Sequence, residues 1–530
     1  MRDRLRDPDL VEQRRWLTLL VLCVSLIVIV LDNTILNVAL PTLGKLKSEG
    51  GLHASVSELQ WIVDSYVIVF AGLLLTAGSL GDRFGRYKAL AFGLSVFGIG
   101  SLASAFAGSA NVLIATRSLM GIGGAFIMPS TLSILTNVFT RPEERGKAIG
   151  VWAGVSAIGI GIGPITGGVL LAHFWWGSIF LVNVPIVVGG LIAGYFLVPE
   201  SKDPAASKLD PLGAALSIGG ITALLWAVIE APSHGWTSSE IVAMFVIGAV
   251  IIAAFLAWEI HTPTPMLDLR FFENPRFSAA SGAITITFFA MFGTLFLLTQ
   301  YLQLVLGFTT VEAGAVLLPQ AATIMVAAPL SSVWVRRFGN KRVVATGLLI
   351  VASSYALINL LDVSSSAWQV IGITMVMGLG MGNVMAPCTD SIMGSLPRAR
   401  AGVGSAVNDT TRQFGGAIGI AVYGSVLSSR YASHISARLG GLVPASVLGD
   451  VKDSIGGAFN AAQKNDAAKP FARQIIAASR QSYVDGMHTA VVIALVVLLV
   501  AAAIVVRFLP ARARDEDDVP AVAVAATVAV

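Results

Sequence analysis

Six ionisable side chains lie inside long apolar runs of this 530-residue chain: Asp32, Asp64, Arg117, Asp390, Asp409 and Arg412. A charge at the bilayer centre costs roughly 2.5–3.5 kcal/mol on insertion scales, so such groups face a partner or a wet cavity. The chemistry of a buried carboxylate is competitive binding. Desolvation favours its neutral form, while a nearby arginine or bound cation favours its anion, so a proton and a cationic ligand contend for one site. A site open alternately to either face then exchanges one for the other. Each elementary charge that crosses is worth about 2.3 kcal/mol per 100 mV of membrane potential.

The elements that must hold these groups follow from composition. The chain is 55% apolar and 12% charged, about half the charge that coats a soluble domain. At about 20 residues per bilayer-spanning helix, the apolar fraction supplies on the order of fourteen spans. Apolar runs of spanning length fall at 17–40, 58–80, 89–107, 111–138, 146–172, 178–198, 211–230, 239–258, 278–301, 312–335, 343–361, 367–393, 400–428 and 487–509. The first is too long for a signal-peptide core and contains Asp32, so it is expected to remain as a helix. With the N-terminus inside, twenty-four of the 35 lysines and arginines fall on inner segments, and the short outer loops carry only Lys45 and Lys47. An even number of spans then places both termini in the cytoplasm. The net charge of +4 reflects topology and implies no nucleic-acid partner. Cys23, Cys388 and six scattered histidines offer no metal-ligand spacing, and no cofactor is expected.

The hexapeptide Arg83-Phe84-Gly85-Arg86-Tyr87-Lys88 recurs as Arg337-Phe338-Gly339-Asn340-Lys341-Arg342, an offset of 254 residues that also carries the fourth and fifth spans onto the twelfth and thirteenth. Two parallel six-helix repeats around a midplane cavity are one way of building a transporter. The expected organisation is a cytoplasmic N-terminus (1–16), a six-helix half (17–198) and a linker (199–276) with two inserted helices at 211–230 and 239–258. A second six-helix half (277–509) follows, carrying an external polar insertion (430–486), and then a disordered cytoplasmic tail (510–530).

Measured at about 1.5 Å per residue, Asp32 lies roughly 13 Å from the outer end of its span, and Asp64 and Arg117 each lie about 10 Å into theirs. Similar depth suggests that Arg117 pairs with Asp32 or Asp64 and leaves one carboxylate to titrate; a static ion pair is the competing account. The run Asn408-Asp409-Thr410-Thr411-Arg412-Gln413 is too polar for a lipid-facing helix. Asp409 and Arg412, three apart, can pair on one face, so a structural pair is the alternative to a coupling role. Asp390, near the inner end of its span, can instead snorkel to the interface.

Several motifs resemble the major facilitator superfamily, and within it the fourteen-helix drug:proton antiporters of the EmrB/QacA type. Gly78-Ser79-Leu80-Gly81-Asp82-Arg83-Phe84-Gly85-Arg86-Tyr87-Lys88 matches the superfamily's loop between helices 2 and 3. The resemblance implies a cytoplasmic gate in Gly78, Asp82, Arg83, Gly85 and Arg86, with Asp82 capping a neighbouring helix and pairing with a basic residue. Leu31-Asp32-Asn33-Thr34-Ile35-Leu36-Asn37 is similar to the helix 1 signature, in which the aspartate is implicated in proton coupling or cation recognition. Trp61-Ile62-Val63-Asp64-Ser65-Tyr66 resembles the helix 2 entry. Gly159, Gly163, Pro164, Gly167 and Gly168 fall in a segment similar to the antiporter signature. Glycines every four residues let another helix approach closely while Pro164 bends the span, so this stretch is expected to act as a hinge at the domain interface. Two positions depart from the family. Arg117-Ser118-Leu119-Met120-Gly121 has methionine where the pattern has glutamine, and Arg336 replaces the aspartate in the second copy of the gate.

The expected protein is an all-α polytopic membrane protein of the inner membrane, with the major facilitator fold and fourteen transmembrane helices. Its expected activity is proton-coupled efflux of amphipathic, cationic compounds, with a dedicated exporter of one metabolite, such as a self-made antibiotic or an amino acid, as the alternative. Asp32, Asp64, Arg117, Asp390, Asp409 and Arg412 would handle protons and cations; Asn33, Asn37, Trp61, Tyr66, Asn408 and Gln413 would line the substrate cavity. Its partners would be the small-molecule substrate, protons and the lipid bilayer, without an obligate protein. No clustered histidines, HExxH or Gly-x-Ser-x-Gly elbow suggests an enzyme, and no nucleotide-binding loop suggests ATP-driven transport.

Overall fold

In the computed structural model, residues 8–43, 51–52, 54, 56–202, 210–263, 265, 267–397 and 400–510 are described. The tail from residue 511 lies outside the described residues, as do the side chains of Asn37 and Pro164. The apolar runs become helices α1 (Pro8–Leu43), α2 (Val56–Phe84), α3 (Arg86–Ala105), α4 (Ala110–Val138), α5 (Pro142–His173), α6 (Ser178–Leu181), α7 (Asn183–Leu197), α8 (Pro211–His234), α9 (Ser239–His261), α10 (Pro275–Gln300), α11 (Thr310–Phe338), α12 (Asn340–Ile358), α13 (Ala367–Met393), α14 (Ala401–Leu439), α15 (Ala445–Asp453), α16 (Ile455–Lys464) and α17 (Ala472–Phe508). Many start where the sequence supplies a cap. Asp210 accepts from Gly213 N at 2.8 Å with Pro211 next in line, and Thr309 and Glu312 form a reciprocal capping box, so orphan amides at these helix starts are satisfied without water.

Among the described residues, thirteen helices are long and apolar enough to cross a bilayer. α14 is equally long, but its polar run from Asn408 to Gln413 lowers its hydropathy. It is buried on that side by protein rather than lipid: Asn408, Asp409 and Arg412 are all buried. Two hydrophobic cores form. One is built from α1 to α7 around Leu22, Phe97, Leu132 and Trp152. The other is built from α10 to α17 around Leu297, Tyr355, Met381 and Tyr483. They meet where α5 packs on α11 and α2 on α14; of the inserted pair, α8 lies against both α2 and α14 and α9 packs on α8.

The region expected as a polar external loop, 430–486, is largely helical. α14 continues to Leu439, α17 begins at Ala472, and α15 and α16 lie between them. Val443, Val447, Val451, Ile455 and Ala458 are buried there. Apolar residues at helical spacing inside a polar composition account for the difference. Arg438 Nη2 reaches Asp485 Oδ2 at 2.6 Å and ties the two long helices together.

Candidate functional site

Asp32 and Arg117 form an ion pair between α1 and α4, and both are buried. The second oxygen of Asp32 accepts from Asn183 Nδ2 on α7 at 3.1 Å, and that amide also donates to Ser101 Oγ on α3 at 3.1 Å. Arg117 Nε donates to the Ile62 carbonyl at 3.2 Å, and its guanidinium lies over the Tyr66 ring, 4.4 Å from the centroid. Arg117 therefore takes Asp32 as its carboxylate, and Asp64 stands half-buried on α2. Where the family pattern has glutamine, Met120 Sδ lies 3.8 Å from Arg117 Nη1. Helices α1, α2, α3, α4 and α7 thus converge on one carboxylate. Removing either partner of such a pair strands a buried charge.

Asn183 was not among the expected site residues. A lone amide inside the apolar run 178–198 is the signal that could have marked it, because a buried amide needs partners. Of the expected cavity residues, Asn33 and Trp61 are half-buried and Tyr66 is buried beside Arg117.

The polar run on α14 builds a different cluster. Asn408 Nδ2 donates to Asp409 Oδ1 at 3.3 Å, Thr389 Oγ1 on α13 donates to Asn408 Oδ1 at 3.2 Å, and Arg412 Nη2 donates to Thr389 Oγ1 at 2.9 Å. Asp409 and Arg412, weighed as a structural pair against a coupling role, attract each other across one helical turn without a contact ion pair. The guanidinium is turned instead to the rings of Trp152 on α5 and Phe288 on α10, at 5.0 and 5.1 Å. Asn408 is fully buried and its amide is occupied; Gln413 is half-buried.

The loop motif after α2 closes one end of the bundle. Asp82 Oδ1 accepts from Gly402 N at 2.9 Å and Oδ2 from Val403 N at 3.2 Å, so it caps α14 from the opposite half. Arg86 Nη2 pairs with Asp82 at 2.8 Å. A carboxylate at a helix N-terminus is favoured by the unsatisfied amides and the helix dipole. Gly78 and Gly402 are required by the approach itself: a Cβ on Gly402 would stand 2.6 Å from both Asp82 Oδ1 and the Gly78 carbonyl. Gly85 has φ 121°, and a Cβ there would meet Glu200 Oε1 at 2.6 Å; that carboxylate also accepts from Tyr87 N at 3.1 Å. Arg83 is half-buried, its guanidinium 5.5 Å from the Phe84 ring.

Two more ties join the halves at this end. Arg145 Nε on α5 meets Asp390 Oδ1 on α13 at 3.0 Å, and Arg336 Nη1 on α11 meets Glu143 Oε2 on α5 at 2.8 Å. Asp390 is therefore held in this latch and not in the Asp32 cluster. Arg336, which replaces the aspartate of the repeat, supplies a cation in place of a cap.

Most of the expected glycine hinge faces elsewhere. Cβ atoms on Gly159 and Gly163 would meet Val30 Cγ1 at 2.8 Å and Thr34 Oγ1 at 1.8 Å, and one on Gly167 would meet the Ile35 carbonyl at 3.3 Å. This stripe packs α5 on α1, within one half. The interface between halves uses one glycine of the expected set, Gly168 against Val311 Cγ2 at 2.8 Å, together with Gly150 against Pro329 Cα at 2.6 Å, Gly154 against Met325 Cα at 2.9 Å and Gly161 against Leu318 Cδ2 at 2.7 Å. Helix α5 is glycine-lined on two faces because it is pressed between α1 and α11.

Residues 22–420 match the family model of the Major Facilitator Superfamily. The chain is 37% identical over 492 residues to the multidrug efflux pump LfrA of Mycolicibacterium smegmatis, covering 93% of this chain and 96% of the relative. It is 34% identical over 476 residues to the methyl viologen resistance protein SmvA of Salmonella typhimurium, covering 89% and 93%. Among solved structures, the human organic anion transporter MFSD10 superposes with a TM-score of 0.57 at 14% identity, over 92% of this chain and 99% of that one. The coverage, the paired helical halves and the latch around Asp82 together make this chain a member of the Major Facilitator Superfamily, a multi-pass protein of the bacterial inner membrane.

Proposed function

We propose that the chain is a proton-coupled efflux transporter for amphipathic, cationic compounds, working by alternating access. The observation that carries this reading is the buried Asp32 cluster. One carboxylate is shared by an arginine and an amide at membrane depth, which is the arrangement needed if a proton and a cation are to compete for it. The names of the relatives, a multidrug efflux pump and a methyl viologen resistance protein, support efflux and a cationic substrate.

In this reading the halves 17–198 and 277–509 rock about the α5–α11 and α2–α14 seams, with 199–276 as the linker. The latch end carries the basic loops and faces the cytoplasm by the charge rule. The present conformation is the one closed to the cytoplasm, since Asp82, Asp390 and Glu143 all bridge the halves there. Asp32 exchanges Arg117 for a proton when the cluster opens to the other side. The test is dye efflux from cells expressing the chain, with and without a protonophore: efflux that stops with the protonophore supports coupling, and efflux that persists refutes it.

A further inference from the structure

Arg412 is buried, and among the described residues no carboxylate makes a contact ion pair with it. Its Nε has no hydrogen-bond partner, and neither has Asp409 Oδ2, three residues away on the same helix. A buried guanidinium ordinarily takes a carboxylate in bidentate fashion, and positions three apart on a helix are neighbours. Asp409 is near enough to attract it, yet the two side chains make no contact ion pair. Besides Thr389 Oγ1, what holds the guanidinium is a slot formed by two rings, an indole and a phenyl, with centroids 5.0 and 5.1 Å from Cζ. Both distances fall within the range of cation–π attraction, which strengthens when the cation is desolvated. The indole is fixed by its own hydrogen bond, Trp152 Nε1 to Thr131 Oγ1 at 3.2 Å. Trp152 belongs to the core of the first half and Phe288 to that of the second, so whatever lies in the slot touches both halves.

We propose that the Trp152–Phe288 slot is the docking place for the flat, charge-delocalised part of an organic cation, and that Arg412 fills it as an internal stand-in until the ligand displaces it. The displaced guanidinium then moves one turn back to Asp409, whose unpartnered oxygen is the vacant acceptor. This rests on the reading that the chain transports cations, and it names where the cation sits and what competes for the place. A guanidinium and an N-methylpyridinium share planarity, delocalised charge and weak hydration, the properties that two aromatic faces select.

The test uses the full chain in lipid nanodiscs with methyl viologen, a pair of N-methylpyridinium rings, as the probe, and reads affinity by calorimetry. Trp152→Leu, which removes one wall, is expected to weaken binding on the order of tenfold, and Arg412→Met, which removes the competitor, to tighten it on the order of tenfold. Trp152→Phe keeps an aromatic face and is expected to retain most of the affinity. Should Trp152→Leu fail to fold, Phe288→Leu removes the opposite wall and reads the same quantity. Binding that ignores both wall variants, or that weakens in Arg412→Met, overturns the slot while leaving cation transport standing. A wild-type protein that exports substrate yet shows no saturable methyl viologen binding overturns the cationic reading and the slot with it.

Discussion

Replacing Asp32 by asparagine tests the proposed coupling with minimal change of shape. The oxygen that accepts from Asn183 at 3.1 Å has a counterpart in the amide, so the α7 contact survives. The oxygen facing Arg117 becomes an amide nitrogen, and a donor then meets a donor. Arg117 retains the Ile62 carbonyl at 3.2 Å, the Tyr66 ring at 4.4 Å and the weak acceptor Met120 Sδ at 3.8 Å. Stranding one member of a buried pair costs about 3–5 kcal/mol, so Asp32→Asn lowers thermal stability as well as coupling. The two effects are separated by adding Arg117→Gln, which removes the orphaned charge: stability returns and coupling does not. The assay is substrate efflux from proteoliposomes under an imposed pH gradient, beside thermal denaturation of the same preparations. Unchanged gradient-driven transport in Asp32→Asn removes the carboxylate from the mechanism. Coupling that recovers together with stability in the double variant reduces the pair to scaffolding.

Asp82→Ala deletes the cap on α14 and the partner of Arg86, a cap alone being worth about 1 kcal/mol. In a Cys23→Ser background, a permeant maleimide then modifies the buried Cys388 on α13 faster, and an unchanged rate argues against the latch. Asn183→Ala leaves Asp32 with one donor fewer and is expected to cost about 1–3 kcal/mol of stability and to reduce efflux, whereas Asn183→Gln at equal expression separates reach from chemistry. Gly163→Ala places a Cβ 1.8 Å from Thr34 Oγ1 and is expected to abolish folded protein by size-exclusion chromatography. Gly168→Ala meets only the Val311 methyl at 2.8 Å, so it is expected to fold and to slow transport through the α5–α11 seam; the reverse order of severity contradicts the assignment of the two glycine faces. Asp485→Asn removes a half-exposed partner of Arg438, and a change above about 1 kcal/mol in stability contradicts its treatment as a surface pair.

The spans were legible because each is a long apolar run broken by charge, a signal that needs no tertiary information. Their ends were less so. α14 and α17 run well past the expected boundaries because the amphipathic stretch between them is helical, and composition alone reads it as polar. The cap by Asp82 was legible through its motif; its acceptors, the amides of Gly402 and Val403, were not, since backbone donors carry no sequence signature. Arg117 with Asp32 could be narrowed to two carboxylates by depth, and only the rotation of α1 against α4 chose between them. The α5 glycines illustrate the limit most clearly. Spacing revealed a close-packed face at Gly159, Gly163 and Gly167 but not which helix it meets, and the neighbour proved to be α1. The face that crosses between the halves runs Gly150, Gly154, Gly161 and Gly168, and only its first pair follows the four-residue rule.

The two buried arginines follow opposite rules. Arg117 is compensated within its own half by Asp32 and by contacts from α2, so its position is set whichever way the halves are turned. Arg412 has Asp409 near enough for charge attraction but not in contact, and one of its two aromatic faces belongs to the opposite half. Rocking the halves therefore changes the surroundings of Arg412 directly and those of Arg117 only through the helices that carry it. A charge whose stabilisation depends on interdomain geometry biases that geometry in return, because a ligand shifts a conformational equilibrium only by its differential affinity for the two states. In the proposed mechanism the first half holds a self-contained carboxylate–arginine pair, and the second half holds a cation that would sense whether the halves are together. Coupling a proton at Asp32 to movement of the halves then requires the two sites to favour the same conformations, and α5, packed on α1 beside Asp32 and carrying Trp152 to Arg412, is the element that touches both.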